Sequence, residues 1–316
     1  MYFINKCNDM DENIIIYAKR MLSSIREELP VFIKINNIQL NYESKGRGTP
    51  LVFIHGLGEC MQSWSHQVTC LSRKYRIINL DLRAHGQSSN DDAEIITISL
   101  FAKDIIELLN KLGIEKTVFI GHSMGGLICQ EIAVHYPERA IAFVLSDAAG
   151  FYPPPFSTDG LRERLAYLET AAMEDLAEMV AERCCAPQTS REVRQEIKKL
   201  FLHNESESYK QATIATFKAD YRAYHKQMNF PFLLLVGEFD QTTPLAYAEY
   251  LEKNLPTAQL AVIPAAAHMS KVENPQEYNR LLSQFLEQLP DVVYKNFLER
   301  RKKYAVSKSA EMENVL

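Results

Sequence analysis

Six short apolar runs, Leu51–Ile54, Arg76–Leu80, Thr117–Ile120, Ala140–Leu145, Phe232–Val236 and Gln259–Ile263, recur along this chain with helical segments between them. That alternation narrows the possible folds more than any other feature. A strand that is apolar without period-2 alternation is buried on both faces. The runs therefore predict a mostly parallel sheet covered on both sides by helices near 63–72, 98–112, 127–135, 244–255 and 275–288. A ligand site in such a sheet lies beyond the C-terminal ends of the strands. Ahead of these runs, Val31–Ile35 and Ile38–Tyr42 alternate around Asn36-Asn37, two residues that tolerate positive φ and so predict a tight hairpin. The fold class is α/β with eight strands.

One interval breaks the rhythm. Residues 151–228 show no convincing strand but carry helical spacings at Leu161-Leu165-Leu168, Leu176-Met179-Val180, Val193-Ile197-Leu200 and Phe217-Tyr221-Tyr224. They predict a helical cap inserted into a core made of residues 31–150 and 229–290. The cap opens on Phe151-Tyr152-Pro153-Pro154-Pro155-Phe156, a stiff apolar segment following the strand that ends near Asp147. Its position makes Tyr152 a candidate substrate-binding residue. Before the core, Ile14, Ala18, Leu22, Ile25 and Leu29 recur at helical spacing up to Pro30, which predicts an amphipathic helix within residues 1–30. After it, residues 291–316 have a helical composition and carry Arg300-Arg301-Lys302-Lys303, read as a solvated helix end.

A chain of 316 residues with 47% hydrophobic content can bury one large core, with or without a modest insertion. The formal net charge of −5 supplies no basic field for nucleic acid. No basic start followed by an apolar core marks a signal peptide, and no apolar run reaches the roughly 20 residues that span a bilayer. The expectation is a soluble, cytoplasmic protein. Six cysteines lack C-x-x-C spacing and are expected to be reduced. Neither metal-ligand spacing nor a dinucleotide-binding glycine pattern occurs, so no cofactor is implied, and the expected partner is a small molecule.

The chemistry is concentrated in Gly121-His122-Ser123-Met124-Gly125-Gly126, which joins the run ending at Ile120 to the helical pattern Leu127 to His135. A serine flanked by glycines at a strand-to-helix turn is a nucleophile elbow. The turn forces strained backbone on the serine, and side chains two positions before or after it would collide with neighbouring backbone. Ser123 then projects from the sheet, and the Met124 amide sits at a helix N-terminus, where developing negative charge is stabilised.

A serine hydroxyl needs a base, and the base needs an orienting acid. Asp240 follows the run Phe232–Val236, and His268 follows Gln259–Ile263. Both would stand on the rim that carries Ser123, in the chain order serine, aspartate, histidine. Asp147, at the end of another strand, competes for the acid's role. His122 would point away from the hydroxyl, and His66, His135, His203 and His225 fall on predicted helices. His85 belongs to a turn after Asp81. His55-Gly56-Leu57-Gly58, directly after Leu51–Ile54, offers the Leu57 amide as a second oxyanion donor beside that of Met124, with His55 holding the loop. Trp64 is either a pocket wall or a core residue.

These motifs resemble those of the α/β-hydrolase fold superfamily: H-G-x-G, D-x-R-G-x-G-x-S, G-x-S-x-G-G, G-x-x-D and a late G-H. The likeness runs from about residue 31 to 290, with Ala84 and Ala267 where glycine is usual. It implies a triad of Ser123, Asp240 and His268 and oxyanion amides at Leu57 and Met124. Within the superfamily, Ser63-Trp64, His66-Gln67-Val68 and Ala219-Asp220-Tyr221-Arg222 are similar to enol-lactonase-like and carboxylesterase-like members. The implied function is hydrolysis of a small or medium carboxylic ester or lactone. The alternatives are a carbon–carbon or thioester hydrolase with the same triad, or a slow-turnover ligand-binding or signalling homologue. Epoxide hydrolases and haloalkane dehalogenases are disfavoured, because they place aspartate where Ser123 stands.

Overall fold

The computed structural model describes residues 31–90 and 95–289. Contacts divide the chain into two units, Met1–Val31 and Phe32–Leu316. All the described residues fall in the second unit except Val31, the first residue of the first strand. The helix expected before Pro30 and the helical tail from Asp291 lie outside the described residues.

Eight strands form one sheet: β1 (Val31–Ile35), β2 (Ile38–Lys45), β3 (Pro50–Ile54), β4 (Arg76–Leu80), β5 (Thr117–His122), β6 (Ala140–Ser146), β7 (Phe232–Gly237) and β8 (Ala258–Ile263). Their order is β1-β2-β4-β3-β5-β6-β7-β8. β2 runs antiparallel to β4, with Tyr42 opposite Leu80, and from β4 to β8 every pairing is parallel. The hairpin between β1 and β2 turns on Asn36 and Asn37, both at positive φ (36° and 66°), the backbone a two-residue turn of matching twist requires.

Among the described residues the α-helices are α1 (Ser65–Leu71), α2 (Ile98–Lys111), α3 (Met124–His135), α4 (Leu161–Leu168), α5 (Met173–Arg183), α6 (Arg191–Leu200), α7 (Ser206–Lys218), α8 (Leu245–Asn254), α9 (Ser270–Glu273) and α10 (Pro275–Gln288). Local chemistry fixes several of their starts. The Thr97 hydroxyl accepts from Leu100 N at 3.0 Å to cap α2. Asn274 does the same for Glu277 N at the start of α10, with Pro275 in the first turn.

Strand side chains divide by period 2 into two cores. Val52, Ile54, Ile78, Leu80, Phe119, Phe143, Phe232 and Leu234 pack with α2 and α3. Leu51, Phe53, Ile77, Val118, Ile120, Val144, Leu233 and Leu235 pack on the opposite side with α1 and α10. Phe143 stacks between Phe119 and Phe232, with centroids 5.6 and 5.3 Å apart. Each such pair contributes roughly 0.5–1.5 kcal/mol beyond its buried area. Helix α3 is buried on nearly every side, as expected of a helix lodged between sheet and α2, and it carries the elbow.

Between β6 and β7 the regular structure of the described chain is helical, apart from an isolated bridge between Phe151 and Asp220, with turns and irregular segments joining the helices. Leu168, Leu176, Val180, Ile197, Leu200, Phe201 and Tyr209 of this interval form a third cluster, together with Cys60, Met269 and, from α9, Val272 at the sheet's rim. One expectation here fails. The spacing Phe217-Tyr221-Tyr224 predicts a helix, but α7 ends at Lys218 and Tyr221 N donates to Gly150 O at 3.0 Å. The helix lies earlier, over a stretch rich in Ser, Glu, Lys and Thr whose polarity hides its period, while Tyr221 is buried by tertiary contact, its hydroxyl donating to Glu131 at 2.8 Å.

Candidate active site

The elbow has the strain its sequence implies. Ser123 sits at φ 50°, ψ −114°, and its amide donates to Ser146 O of β6 at 2.9 Å. A Cβ on Gly121 would come 2.2 Å from Gly125 O, and one on Gly125 2.3 Å from Ile54 O, so the backbones of β3, β5 and α3 close on each other here. The result is a partly exposed Ser123 above a buried helix N-terminus formed by Met124.

His268 and Asp240, far along the chain from the serine, arrive beside it. His268 Nε2 is 3.1 Å from Ser123 Oγ, and His268 Nδ1 is 2.9 Å from Asp240 Oδ2. Both partners of the serine are buried. Asp240 Oδ1 accepts from the amides of Thr242 and Thr243 at 2.7 and 2.9 Å, and Oδ2 accepts from the Thr243 hydroxyl at 2.8 Å. Burial opposes ionisation of Asp240, but His268 and these donors outweigh it and hold the carboxyl below its usual range. Burial likewise opposes protonation of His268, yet the Asp240 carboxylate raises its pKa above the ordinary 6.5.

Asp147, the competing acid, comes no nearer an imidazole than 3.8 Å, and that ring is His122. Its oxygens are held by Gly237 N at 2.8 Å, Ser270 Oγ at 2.6 Å and Ser146 Oγ at 2.9 Å. Burial and then the charge of Asp240 push its carboxyl up to about 7. His122 points away from the hydroxyl, with Nδ1 on Glu59 at 2.5 Å and Nε2 on the carbonyl of His268 at 2.7 Å.

The Gly56–Gly58 loop faces the elbow. His55 holds it by donating from Nδ1 to Gly56 O (2.8 Å) and accepting at Nε2 from Leu82 N (2.9 Å). That pattern defines a neutral imidazole, and burial lowers its pKa to about 3. Asn204 Nδ2 donates to Gly58 O at 2.6 Å, which ties the loop to the segment between α6 and α7. Tyr152 is nearly buried, stacked 4.9 Å from Phe217 and edge-on to Tyr247. Burial, and then the charge of Asp240, push the pKa of its phenol up. Trp64 does not reach this space. It has no exposed surface and packs on Phe53 and Tyr278, so the core role is the one it takes. Of the two alanines standing where glycine is usual, Ala84 adopts φ +60°, so the loop keeps its left-handed turn against the steric cost of a Cβ. Ala267 is not among the positive-φ residues.

Sequence reasoning missed a buried ionic cluster beneath the site. Glu59 and Lys271 are buried and lie 2.9 Å apart. Glu59 also meets His122, and the Lys271 ammonium sits 5.0 Å from the centre of the Trp64 ring. Burial disfavours both charges and lowers the pKa of Lys271. His122 and Lys271 nevertheless keep Glu59 well below the usual carboxylate range. Only the adjacency of Glu59 to the H-G-L-G loop hints at this, and nothing marks Lys271. Glu59→Ala would strand a buried ammonium, so unfolding in urea should show a loss of about 3–5 kcal/mol. The double change Glu59→Gln with Lys271→Met should recover most of it. Equal losses in the single and double variants would show that the pair is not the source.

Among the described residues no group of three or more His, Cys, Asp or Glu side chains is arranged to hold a metal ion, and no helix is long and apolar enough to cross a membrane. The described cysteines, Cys60, Cys70, Cys129, Cys184 and Cys185, are unpaired thiols.

A parallel sheet of this order, with an elbow at the end of β5 and Asp240 and His268 on the loops after β7 and β8, is the architecture of one fold family. The family profile described as alpha/beta hydrolase fold matches residues 49–275, and the chain belongs to that family. It is 28% identical over 261 residues to 3-oxoadipate enol-lactonase 2 of Acinetobacter baylyi, an alignment covering 79% of this chain and 96% of that one. Its structure is similar to a thermophilic esterase from Thermogutta terrifontis, with a TM-score of 0.76 and 27% identity over 82% of this chain and 98% of that chain. It is similar also to the enol-lactonase from Burkholderia xenovorans LB400, with a TM-score of 0.76 and 25% identity over 82% and 100%.

Proposed function

We propose that this protein is a serine hydrolase that cleaves a small or medium carboxylic ester or lactone through an acyl-enzyme on Ser123. The observation that carries the reading is the hydrogen-bonded run Ser123 Oγ, His268, Asp240 at 3.1 and 2.9 Å. The esterase and enol-lactonases to which the chain is similar support ester and lactone chemistry.

In this reading His268 Nε2 takes the Ser123 proton as Oγ attacks the substrate carbonyl, while Asp240 keeps Nδ1 protonated and stabilises the imidazolium. The amides of Leu57 and Met124 hold the tetrahedral oxyanion, each contributing about 3–4 kcal/mol at the transition state. The imidazolium returns its proton to the leaving alkoxide, and the acyl group stays on Oγ. Water, deprotonated by His268, attacks the acyl-enzyme, releasing the carboxylic acid and restoring the hydroxyl. Helices α4–α7, together with Tyr152, act as the cap that selects the substrate.

The test is a burst of p-nitrophenol from a p-nitrophenyl ester, stoichiometric with protein, with the acyl group and a fluorophosphonate both located on Ser123 by peptide mass spectrometry. Ester turnover with no adduct on Ser123 would defeat the proposal. Saturable ligand binding without measurable hydrolysis would instead favour the signalling homologue.

A further inference from the structure

His122 is the last residue of β5 and immediately precedes Ser123. Its imidazole is fully buried, and an oxygen faces each ring nitrogen. Nε2 lies 2.7 Å from the carbonyl oxygen of His268. A carbonyl only accepts, so Nε2 carries a proton and donates it. Nδ1 lies 2.5 Å from Glu59 Oε1, too close for two bare lone pairs, so a second proton lies between those atoms. The ring is therefore fixed at both nitrogens. Lys271 Nζ, 2.9 Å from Glu59 Oε2, holds the other oxygen of that carboxylate. The remaining charged neighbour, Asp147, has Oδ2 3.8 Å from Nε2 and is engaged by Ser270, Ser146 and Gly237.

Three loops meet on this ring. The elbow supplies His122 itself. Glu59 closes the Gly56–Gly58 loop, its amide donating to Gly56 O at 3.2 Å. That loop packs so closely that a Cβ on Gly56 would come 2.9 Å from His122 Nδ1 and 3.2 Å from Ser123 Cβ. The third loop brings His268, whose imidazole centre is 5.0 Å from that of His122. The residues flanking His268 have other anchors: Ala267 N donates to Glu273 Oε1 at 2.9 Å, and Met269 N donates to Cys184 O at 3.3 Å. Cys184 belongs to the interval between β6 and β7, so this last bond depends on the proposed cap. His122 holds the His268 carbonyl from the central sheet, independently of the cap. Filling the core would need no N–H at that point, and burying an imidazole is costly unless its polar edges are used.

Resting on the ester-hydrolase reading above, we propose that His122 is a positioning residue. Through its Nε2 proton it fixes the backbone of His268, and through Glu59 it ties that base to the loop carrying the Leu57 amide. The distance it guards is the 3.1 Å between His268 Nε2 and Ser123 Oγ, since proton transfer there is sensitive to displacements of about 1 Å or less.

The experiment compares His122→Gln with His122→Met. The two side chains match in length and nearly in volume, but only glutamine presents an N–H where His122 Nε2 stood. With p-nitrophenyl valerate, and rates normalised to the folded fraction from circular dichroism, His122→Met should lose on the order of 10- to 100-fold in kcat with KM little changed. His122→Gln should recover most of that loss. Equal kcat in the two variants, or a loss confined to KM, overturns the proposal. A second measurement does not depend on turnover. By NMR of the full chain carrying isotope-labelled histidine, the wild type should show a proton on His122 Nε2 at neutral pH. The resonance of the His268 Nδ1 proton should move in His122→Met and stay near its wild-type position in His122→Gln. A bare Nε2 in the wild type overturns the proposal without requiring any variant to fold. If no ester is cleaved but the His268 resonance separates the two variants as expected, the positioning role stands and the hydrolase reading fails. If esters are cleaved and the two variants behave alike, the positioning role fails and the hydrolase reading stands.

Discussion

Replacing Ser123 with alanine is expected to lower kcat for a p-nitrophenyl ester by about 10⁶-fold and to end fluorophosphonate labelling, the scale seen when a triad nucleophile is removed. The fold should survive. Ser123 holds its strained backbone (φ 50°) through its amide bond to Ser146 O and the close packing of Gly121 and Gly125, none of which involves Oγ. Alanine therefore deletes the oxygen proposed to attack and leaves the Leu57 and Met124 amides in place. A residual rate above water from those amides and from substrate binding is expected. A variant that kept burst kinetics would remove Ser123 from the mechanism.

Asp240→Asn is expected to lower kcat by about 10⁴-fold with the structure intact, because the wrong imidazole tautomer is then held toward the serine. The geometry explains why. Oδ2 of Asp240 accepts from His268 Nδ1 at 2.9 Å while Oδ1 is occupied by the Thr242 and Thr243 amides. The asparagine carbonyl must take the position facing those two amides, so its NH₂ faces Nδ1 and donates to it. The proton then resides on Nε2, which can no longer accept from Ser123. The pH profile carries a second signature. In the wild type kcat/KM should rise with pH as His268 loses its proton, with a midpoint above 6.5, since Asp240 raises that pKa against the opposing effect of burial. Without the Asp240 charge the limb should move to lower pH. Asp147→Asn should do far less, because Asp147 meets Gly237, Ser270 and Ser146 and not Nδ1 of His268. If Asp147→Asn proved the more damaging of the two and Asp240→Asn retained normal turnover, the roles would be exchanged.

Much of this arrangement is legible in the chain because it is written locally. Strands β3 to β8 each lie within two residues of an apolar run, since burial on both faces leaves little polar residue in a central parallel strand, and β1 and β2 show instead as an alternation around Asn36-Asn37. The elbow is legible because its glycines answer to steric contacts a few residues away. The helix of α7 is not, since its buried residues, Ser208, Tyr209, Ala212, Thr213 and Thr216, are mostly polar or small. Hydroxyls of Thr213 and Thr216 are satisfied by carbonyls four residues back, so burying them carries no apolar signature.

From residue order alone came the α/β class, the position of the serine and the chain order serine, aspartate, histidine, because periodicity and turn chemistry depend on neighbours in sequence. Three dimensions were needed to show that Asp240 and not Asp147 faces His268, that Trp64 packs the core, and that Glu59 and Lys271 meet under the elbow. Each of those is a contact between segments distant in sequence, set by how helices and loops close over the rim of the sheet. Pairing and desolvation are properties of that closure, and they leave no period in the chain.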